Sequence, residues 1–356
     1  METIRLDPAT ATETAAAALH EVEVAALAVD EPDRPPPAVA DLDRLLRVSR
    51  ADRRTLQWLV LDDDRPVARS WLTLPDRDNR HTAFFAATVS PADRRRGVGT
   101  GLLRTAVDVL VAEGRRAVLV EAFAGSAGAA FCDAFGFEAA QADRSSILRL
   151  ALVDRTDVES LAAAPHPGYR LVTWQERCPD ELLDSYARAK QAMNEAPTGS
   201  MDWEPLEYAG RHIRADEDVL RRRGWQWRVV AAVHEPTGEV AGLTEVIVSR
   251  WSPARAETDD TAVVPAHRGT GLGLWVKAEM ISRLLVERPD VVEVVTRNGL
   301  TNEHMWRINE RLGFRTYATC VERQARVAGL AAHLAASAAG APGSRPPLPR
   351  SREGQR

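Results

Sequence analysis

Two short segments of the chain place a proline, an arginine and closely spaced glycines in the same order. They lie at residues 89–101 and 263–273. Counted from the proline, both segments have the arginine three positions later and glycines six and eight positions later. A Gly-Phe pair follows each segment, at Gly136 and Gly313, with nearly the same offset. Landmarks that keep one offset indicate an internal duplication, so the chain is predicted to contain two related domains.

Each segment has the composition of an anion-binding site. An apolar run enters a glycine turn that opens a helix, so unpaired N–H groups and the positive end of the helix dipole meet there. Glycine lets the backbone approach phosphate oxygens, and arginine can add a charge-assisted hydrogen bond. A ligand that carries a pyrophosphate is therefore predicted. The loop residues that would hold it are Arg94, Gly97 and Gly99 in the first copy and Arg268, Gly269, Gly271 and Gly273 in the second.

Other interpretations of the glycine turns fit less well. A dinucleotide-binding fold has its glycine turn after the first strand and needs an acidic residue about 20 positions later. A nucleotide P-loop needs Gly-Lys-Ser/Thr, which neither segment contains. A tight turn without a ligand is the structural alternative, and the shared proline, arginine and helix of two copies weigh against it.

The flanking sequence predicts the elements that position these turns. Alternating or apolar runs, typical of strands, precede each turn, and an i, i+3/i+4 apolar stripe, typical of a helix, follows it. Gly114 and Pro289 are the expected helix stops. The predicted strands are residues 56–61, 67–72, 83–89 and 118–122 in the first copy, and 227–233, 240–248, 257–264 and 291–296 in the second.

Composition limits the partners of the 356-residue chain. It has 46 Lys and Arg against 51 Asp and Glu, and this net charge of −5 argues against nucleic acid as the main partner. No run approaches the roughly 20 apolar residues of a membrane helix, and the start lacks a signal-peptide pattern. Three scattered cysteines form no metal-binding spacing and suit a reducing compartment. We therefore expect a cytoplasmic protein without membrane, nucleic acid or metal.

The two segments resemble the coenzyme motif of the GNAT superfamily of acyl-CoA-dependent N-acyltransferases, Val-x-Pro-x-x-Arg-x-x-Gly-x-Gly with a later Gly-Phe. The tandem layout and the asparagine-rich residues 296–309 are similar to the mycothiol synthase group of double-GNAT proteins. The resemblance implies an α/β fold: in each domain a mixed, mostly antiparallel sheet with flanking helices and a splayed central strand. The predicted boundaries are 1–152 for the first domain, 153–167 for a linker, 168–328 for the second domain and 329–356 for a disordered tail.

The resemblance also implies acetyl-CoA as co-substrate. The backbone at Val89, Val263 and Val264 would pair with the pantetheine arm, and the loop amides would hold the diphosphate. Asn302, at a predicted helix start, would cap the helix or bind a coenzyme amide. An amine would then attack the thioester directly. At pH 7 a lysine-like amine must first lose a proton, at a cost of about 4–5 kcal/mol, so a general base is expected.

Position within the motif selects candidate catalytic residues. In superfamily members that use a strand glutamate as base, it lies six residues before the loop valine. That position is Glu257 in the second domain and Ala83 in the first, and Asp259, on the same strand face as Glu257, is the second candidate. The usual thiolate-protonating tyrosine is replaced by Cys132 and Asn309. Asn309 is expected to hold the coenzyme or the backbone, and turnover is expected in the second domain with the first as a scaffold.

The missing tyrosine leaves the source of the proton for the thiolate open. Water or another side chain, such as Tyr208 or Tyr317, could supply it. Cys132 lacks a base in the motif and is interpreted as a buried structural thiol rather than a nucleophile.

An acceptor site is predicted from residues between the first helices of the second domain. Glu195 and Asp202 would attract a cationic amine, and Trp203 would add a cation–π contact. A solvated connection with Trp203 packed on the core is the structural alternative. The favoured function is acetylation of a small-molecule primary amine by a monomer or homodimer. A non-catalytic acyl-CoA sensor and a protein-lysine acetyltransferase are the alternatives.

Overall fold

The chain builds one sheet from two similar halves. The structure is a computed structural model that describes residues 1–338. The N-terminal half comprises β1 (Glu2–Leu6), α1 (Glu13–Asp30), α2 (Val39–Arg47), β2 (Arg53–Asp62), β3 (Arg65–Pro75), β4 (Phe84–Val89), α3 (Val98–Ala112), β5 (Ala117–Phe123), α4 (Ala127–Ala134) and β6 (Glu138–Arg149).

One further helix, α5 (Arg155–Ala162), connects this half to the next. The C-terminal half comprises β7 (Tyr169–Gln175), α6 (Leu183–Lys190), α7 (Gly210–Arg223), β8 (Trp225–His234), β9 (Glu239–Ser249), β10 (Arg255–Val263), α8 (Leu272–Glu287), β11 (Glu293–Gly299), α9 (Glu303–Arg311), β12 (Arg315–Arg326) and α10 (Val327–Ala338).

Both halves follow the order of elements that the sequence predicts. In each half the three strands directly before the glycine turn, and the helix, strand and short helix after it, form as predicted; one further strand, β1 or β7, and two helices precede them. Each predicted strand forms within three residues of its expected bounds. Gly114, with φ +65°, follows the end of α3, and α8 ends before Pro289, as expected. Asp63 and Asp64, with φ of 50° and 65°, form the tight hairpin between β2 and β3.

The two halves exchange their last strands. The sheet order is β1-β2-β3-β4-β5-β12-β6-β11-β10-β9-β8-β7, so β12 pairs with β5 and β6 pairs with β11. Cys320 of β12 opposes Phe123 of β5, and Glu293 of β11 opposes Arg149 of β6. Of the strand pairs within residues 1–338, only β4/β5 and β10/β11 are parallel. The two predicted domains are therefore parts of one hydrogen-bonded sheet among the described residues.

The helices that follow the exchanged strands are exchanged with them. α5, which lies inside the predicted linker, packs on α8 of the C-terminal half. α10 packs on α3 and buries Leu330 and Leu334 in the core of the N-terminal half. The segment predicted to be disordered from residue 329 is thus helical to Ala338, because its leucines cover an apolar core. The remainder of that predicted tail, 339–356, lies outside the described residues.

A second contact joins the halves at α2 and α7. Asp41, buried in α2, accepts hydrogen bonds from Trp225 Nε1 at 3.2 Å and Ser252 Oγ at 2.5 Å. Arg223 at the end of α7 donates to Val48 O at 2.9 Å. Because buried polar groups require partners, these bonds hold the halves in one arrangement. Together with the sheet they border a partly open cavity between the halves.

We predict that Leu334→Ala lowers the free energy of unfolding by about 2–5 kcal/mol, because it removes a buried side chain from the core of the N-terminal half. Leu152→Ala is the control: Leu152 is 81% exposed, so its effect should stay within about 0.5 kcal/mol. Chemical denaturation of the full chain measures both. An unchanged midpoint for Leu334→Ala would show that α10 does not belong to this core.

Candidate active site

Both glycine turns open onto the first turn of a helix. Gly97 and Gly271 each have φ +83° and occupy the N-cap positions of α3 and α8, without a side-chain cap. The first N–H groups of each helix therefore lack an intrahelical partner. A Cβ added at Gly97 or at Gly269 would meet no atom within 4 Å, so there is space beside the backbone. The residues present fit the diphosphate of coenzyme A.

The next glycine of each turn has a packing role. A Cβ at Gly99 would lie 3.2 Å from Phe131 Cε2, and one at Gly273 would lie 3.2 Å from Ile308 Cδ1. Glycine at these positions lets α3 approach α4, and α8 approach α9, closely. Gly99 and Gly273 therefore shape the wall of each site.

The motif arginines brace the turns instead of extending into the space for the diphosphate. Arg94 Nε donates to Val89 O, and Arg268 Nε donates to Val263 O, both at 3.1 Å. Arg268 Nη2 also lies 2.7 Å from Glu195 Oε2. The structure thus places Glu195, a predicted acceptor residue, in an ion pair that supports the turn.

The other two predicted acceptor residues contact the N-terminal half. Asp202 lies 3.1 Å from His81 Nε2, and the ring of Trp203 packs edge-on against Phe84 with 5.6 Å between centroids. The three predicted acceptor residues therefore do not form one group. The reason is that the connection between α6 and α7 crosses to the other half, which its sequence alone does not reveal.

Both central strands splay, as the resemblance implies. β10 pairs with β11 only from Arg255 to Glu257, and β4 pairs with β5 only at Phe84. Beyond these positions the strands separate and leave a V-shaped opening that ends at the glycine turn. Val89 and Val263 lie at the ends of the splayed strands. The N–H of Val264 donates to a backbone carbonyl of β9, so it is not free for a ligand.

A bulge in β10 concentrates carboxylates beside the opening. Asp259 and Asp260 both face the single residue Glu245 of β9, because the register shifts at this point. Lys190 Nζ lies 2.7 Å from Glu245 Oε1 and 2.6 Å from Asp260 Oδ2. The ring of Tyr208 lies 5.7 Å from the same ammonium. We call these five residues the bulge cluster; it contains three carboxylates and one ammonium.

Electrostatics in the bulge cluster favour proton binding at Asp259. Burial opposes the charge of Lys190, but Glu245 and Asp260 overcome it and raise the pKa of Lys190 well above its usual value, so it stays an ammonium. Burial and the adjacent Asp260 raise the pKa of Asp259. Asp259 reaches solvent through the opening although protein surrounds the rest of it. Burial likewise raises the pKa of Tyr208.

Glu257 occupies the apex of the opening. It is the last residue of β10 that pairs with β11, it is exposed, and it lines the cavity between the halves. By register with the neighbouring strand, its counterpart in the N-terminal half is Phe84 and not Ala83, because the bulge adds one residue to β10. β4 has no bulge and no carboxylate (sequence Phe-Phe-Ala-Ala-Thr-Val).

Three asparagines lie where β11 leads into α9, beside the splayed strand β10. Asn309 is fully buried, and its Nδ2 donates to Asn298 Oδ1 at 2.5 Å. Asn309 Oδ1 has no hydrogen-bond partner within residues 1–338, so it is available to an N–H group of a ligand. Asn302 caps α9 by accepting from Met305 N at 3.2 Å, in agreement with the capping prediction.

The candidate cysteine and the two candidate tyrosines have different surroundings. Burial raises the pKa of Cys132 to about 11, so the thiol stays protonated and the structural interpretation holds. Tyr317 packs edge-on against Phe123 and is 45% exposed. Only Tyr208 of the two tyrosines belongs to the bulge cluster. Within residues 1–338 no group of three or more His, Cys, Asp or Glu side chains could hold a metal ion, and no helix is long and apolar enough to span a membrane.

Three members of the bulge cluster were missed by sequence reasoning: Lys190, Glu245 and Asp260. One signal was present, since Glu245 is the sole charged residue within the largely apolar strand 240–248. A charged residue at an inward-facing strand position needs a partner of opposite charge. The identity of that partner depends on how α6 packs on β9, which local pattern does not show.

Comparisons with known proteins agree with this geometry. Residues 16–137 match the profile of the acetyltransferase (GNAT) family. Over 292 residues the chain is 27% identical to the mycothiol acetyltransferase of Mycolicibacterium smegmatis, covering 78% of this chain and 85% of that protein. The structure superposes on a tandem GNAT protein from the clavulanic acid biosynthesis pathway with a TM-score of 0.78 and 27% identity, covering 92% and 98% of the two chains.

A more distant structure shares the fold. It is a GCN5-related N-acetyltransferase from Sphaerobacter thermophilus, with a TM-score of 0.62 and 15% identity, and the match covers 91% of this chain and 96% of that one. The paired glycine turns, the two splayed strands and these likenesses together identify a GNAT domain in the N-terminal half and a chain that is similar along most of its length to tandem GNAT proteins, and they support an acyltransferase of the N-acetyltransferase class.

Proposed function

We propose that the chain transfers the acetyl group of acetyl-CoA to a primary amine of a small molecule, and that turnover takes place in the C-terminal half. The observation that carries this proposal is the bulge in β10. It brings Glu257 and the bulge cluster to the apex of the opening, whereas β4 has neither bulge nor carboxylate. The N-terminal half retains the glycine turn and is proposed to bind coenzyme without turnover.

The C-terminal half offers groups suited to two parts of the coenzyme, its diphosphate and its pantetheine arm. The first N–H groups of α8, which follow Gly271 and lack an intrahelical partner, suit the diphosphate, as does the space beside Gly269. Asn309 Oδ1, buried and without a partner in the described chain, suits an amide N–H of the pantetheine arm. When bound, acetyl-CoA supplies a thioester carbon that is open to attack by a nucleophile.

Glu257 is proposed as the general base. It would take the proton from the incoming ammonium, so that the neutral nitrogen attacks the thioester carbon while the bond from that carbon to sulfur breaks. Asp259 lies two residues further into the opening and is the reserve base. Tyr208, whose ring lies in the bulge cluster, is proposed to give its phenolic proton to the leaving sulfur and to recover it from solvent.

We predict that Glu257→Gln lowers kcat/KM for the amine at least about 100-fold, because an amide cannot accept the proton. Acetyl-CoA affinity, measured by calorimetry, should not change. Glu235→Gln, in the exposed turn between β8 and β9, is the matched control and should keep full activity. Release of free coenzyme A measures the rate. Full activity in Glu257→Gln together with loss in Asp259→Asn would transfer the role to Asp259.

We predict that Gly271→Ala weakens acetyl-CoA binding and turnover at least about 10-fold, because a residue with a Cβ resists φ +83° and the turn must shift. Gly97→Ala, at the same φ in the N-terminal half, should remove one of two bound equivalents and leave turnover intact. Gly101→Ala is the control, since its Cβ meets no atom within 4 Å and its backbone is helical. Loss of turnover in Gly97→Ala alone would place the working site in the N-terminal half.

A further inference from the structure

The cavity between the halves has a wall from each of them. Its volume is about 800 Å³, within the range of small-molecule sites. Glu257 lines it from β10, and Arg69 and Trp71 line it from β3 of the N-terminal half. The proposed base therefore faces a space that the other half helps to form.

Arg69 is an unusual buried cation in this wall. It is 7% exposed, and its Nη1 has no hydrogen-bond partner within residues 1–338. The nearest carboxylate is Glu23 of α1, whose Oε2 lies 3.4 Å from Nη1 without forming a hydrogen bond. The guanidinium packs over the ring of Trp71, 4.8 Å from its centroid. Burial of an incompletely paired cation is unfavourable, so the N–H groups of Arg69 are suited to an anionic partner.

The other arginines of the wall all donate hydrogen bonds, whereas Arg69 makes only the 3.4 Å ion pair with Glu23. The acceptors are Glu31 for Arg34, Asp52 for Arg50 and Arg53, Val48 O for Arg223 and Glu293 for Arg255. Arg69 is thus the cation of this wall that lacks a hydrogen bond to any described residue. It holds its position through the stack on Trp71 and through the sheet.

We infer that the acceptor is an amine that also carries an anionic group, a carboxylate or a phosphate, and that Arg69 of the N-terminal half binds this group while Glu257 of the C-terminal half receives the amine. This inference rests on the proposed function and extends it to the substrate class. It also gives the N-terminal half a role in acceptor specificity, through a residue that lies outside its glycine turn. Glu23, beside Arg69, would compete with the ligand for the guanidinium.

Equilibrium binding to the full chain tests the inference without turnover. Trp71, Trp225 and Trp251 line the cavity, so quenching of tryptophan fluorescence is the readout. The probes are matched pairs: lysine against cadaverine for a carboxylate, and glucosamine 6-phosphate against glucosamine for a phosphate. The anionic member of at least one pair should bind at least 10-fold more tightly, and the pair that responds identifies the anion.

Two substitutions with opposite expected effects separate recognition from folding. Arg69→Gln should reduce the preference for the anionic probe to about one, whereas Glu23→Gln, which removes the competing carboxylate, should strengthen binding of that probe several-fold. Arg69→Lys should retain part of the preference. Arg307→Gln, on the exposed face of α9, is the control and should leave it unchanged.

The outcomes distinguish this inference from the proposed function. Equal binding of both members of each pair, no binding of any probe, or an unchanged preference in Arg69→Gln would overturn the inference. Acetylation of amines that lack an anionic group would in that case leave the proposed function standing. Selective binding of anionic amines without release of coenzyme A for any amine would support the assignment of Arg69 and reject the transferase proposal.

Discussion

The structure depends on the backbone hydrogen bonds of β6 and β12, which join two similar halves at the centre of one sheet. Each strand leaves the half in which it is encoded and closes the sheet of the other half. The helices α5 and α10 follow and complete the opposite cores. This exchange orients the two halves toward each other, lets α2 meet α7, and leaves a partly open cavity with contributions from both halves.

The two splayed strands differ by one inserted residue, and that residue changes the chemistry of the site. In β4 the strand runs straight with Phe84 at the apex, and Trp203 covers it. In β10 the bulge places Asp259 and Asp260 opposite Glu245. There the ammonium of Lys190 forms ion pairs with the carboxylates of Glu245 and Asp260. The apex of the opening is therefore apolar and covered by Trp203 in the N-terminal half, and charged and open in the C-terminal half.

The features that could be predicted from sequence are those that local pattern encodes. The duplication, the strands around each turn, the left-handed glycines and the cap at Asn302 all follow from spacing and residue type. The strand exchange, the partner of Glu245 and the position of Trp203 did not follow, because they depend on contacts between residues far apart in the chain. The motif arginines illustrate the difference: their location was predicted, but their bonds to strand carbonyls emerge only in three dimensions.

The exchanged strands also set the order in which the chain can mature on the ribosome. β5 has a hydrogen-bonding edge that only β12 covers, and β12 is synthesised roughly 190 residues later. At about 5–20 residues per second, the edge stays open for roughly 10–40 s in each round of translation. An open strand edge is a template for pairing with other chains. Until β12 emerges, the nascent N-terminal half therefore has an edge at β5 that is open to pairing with other chains.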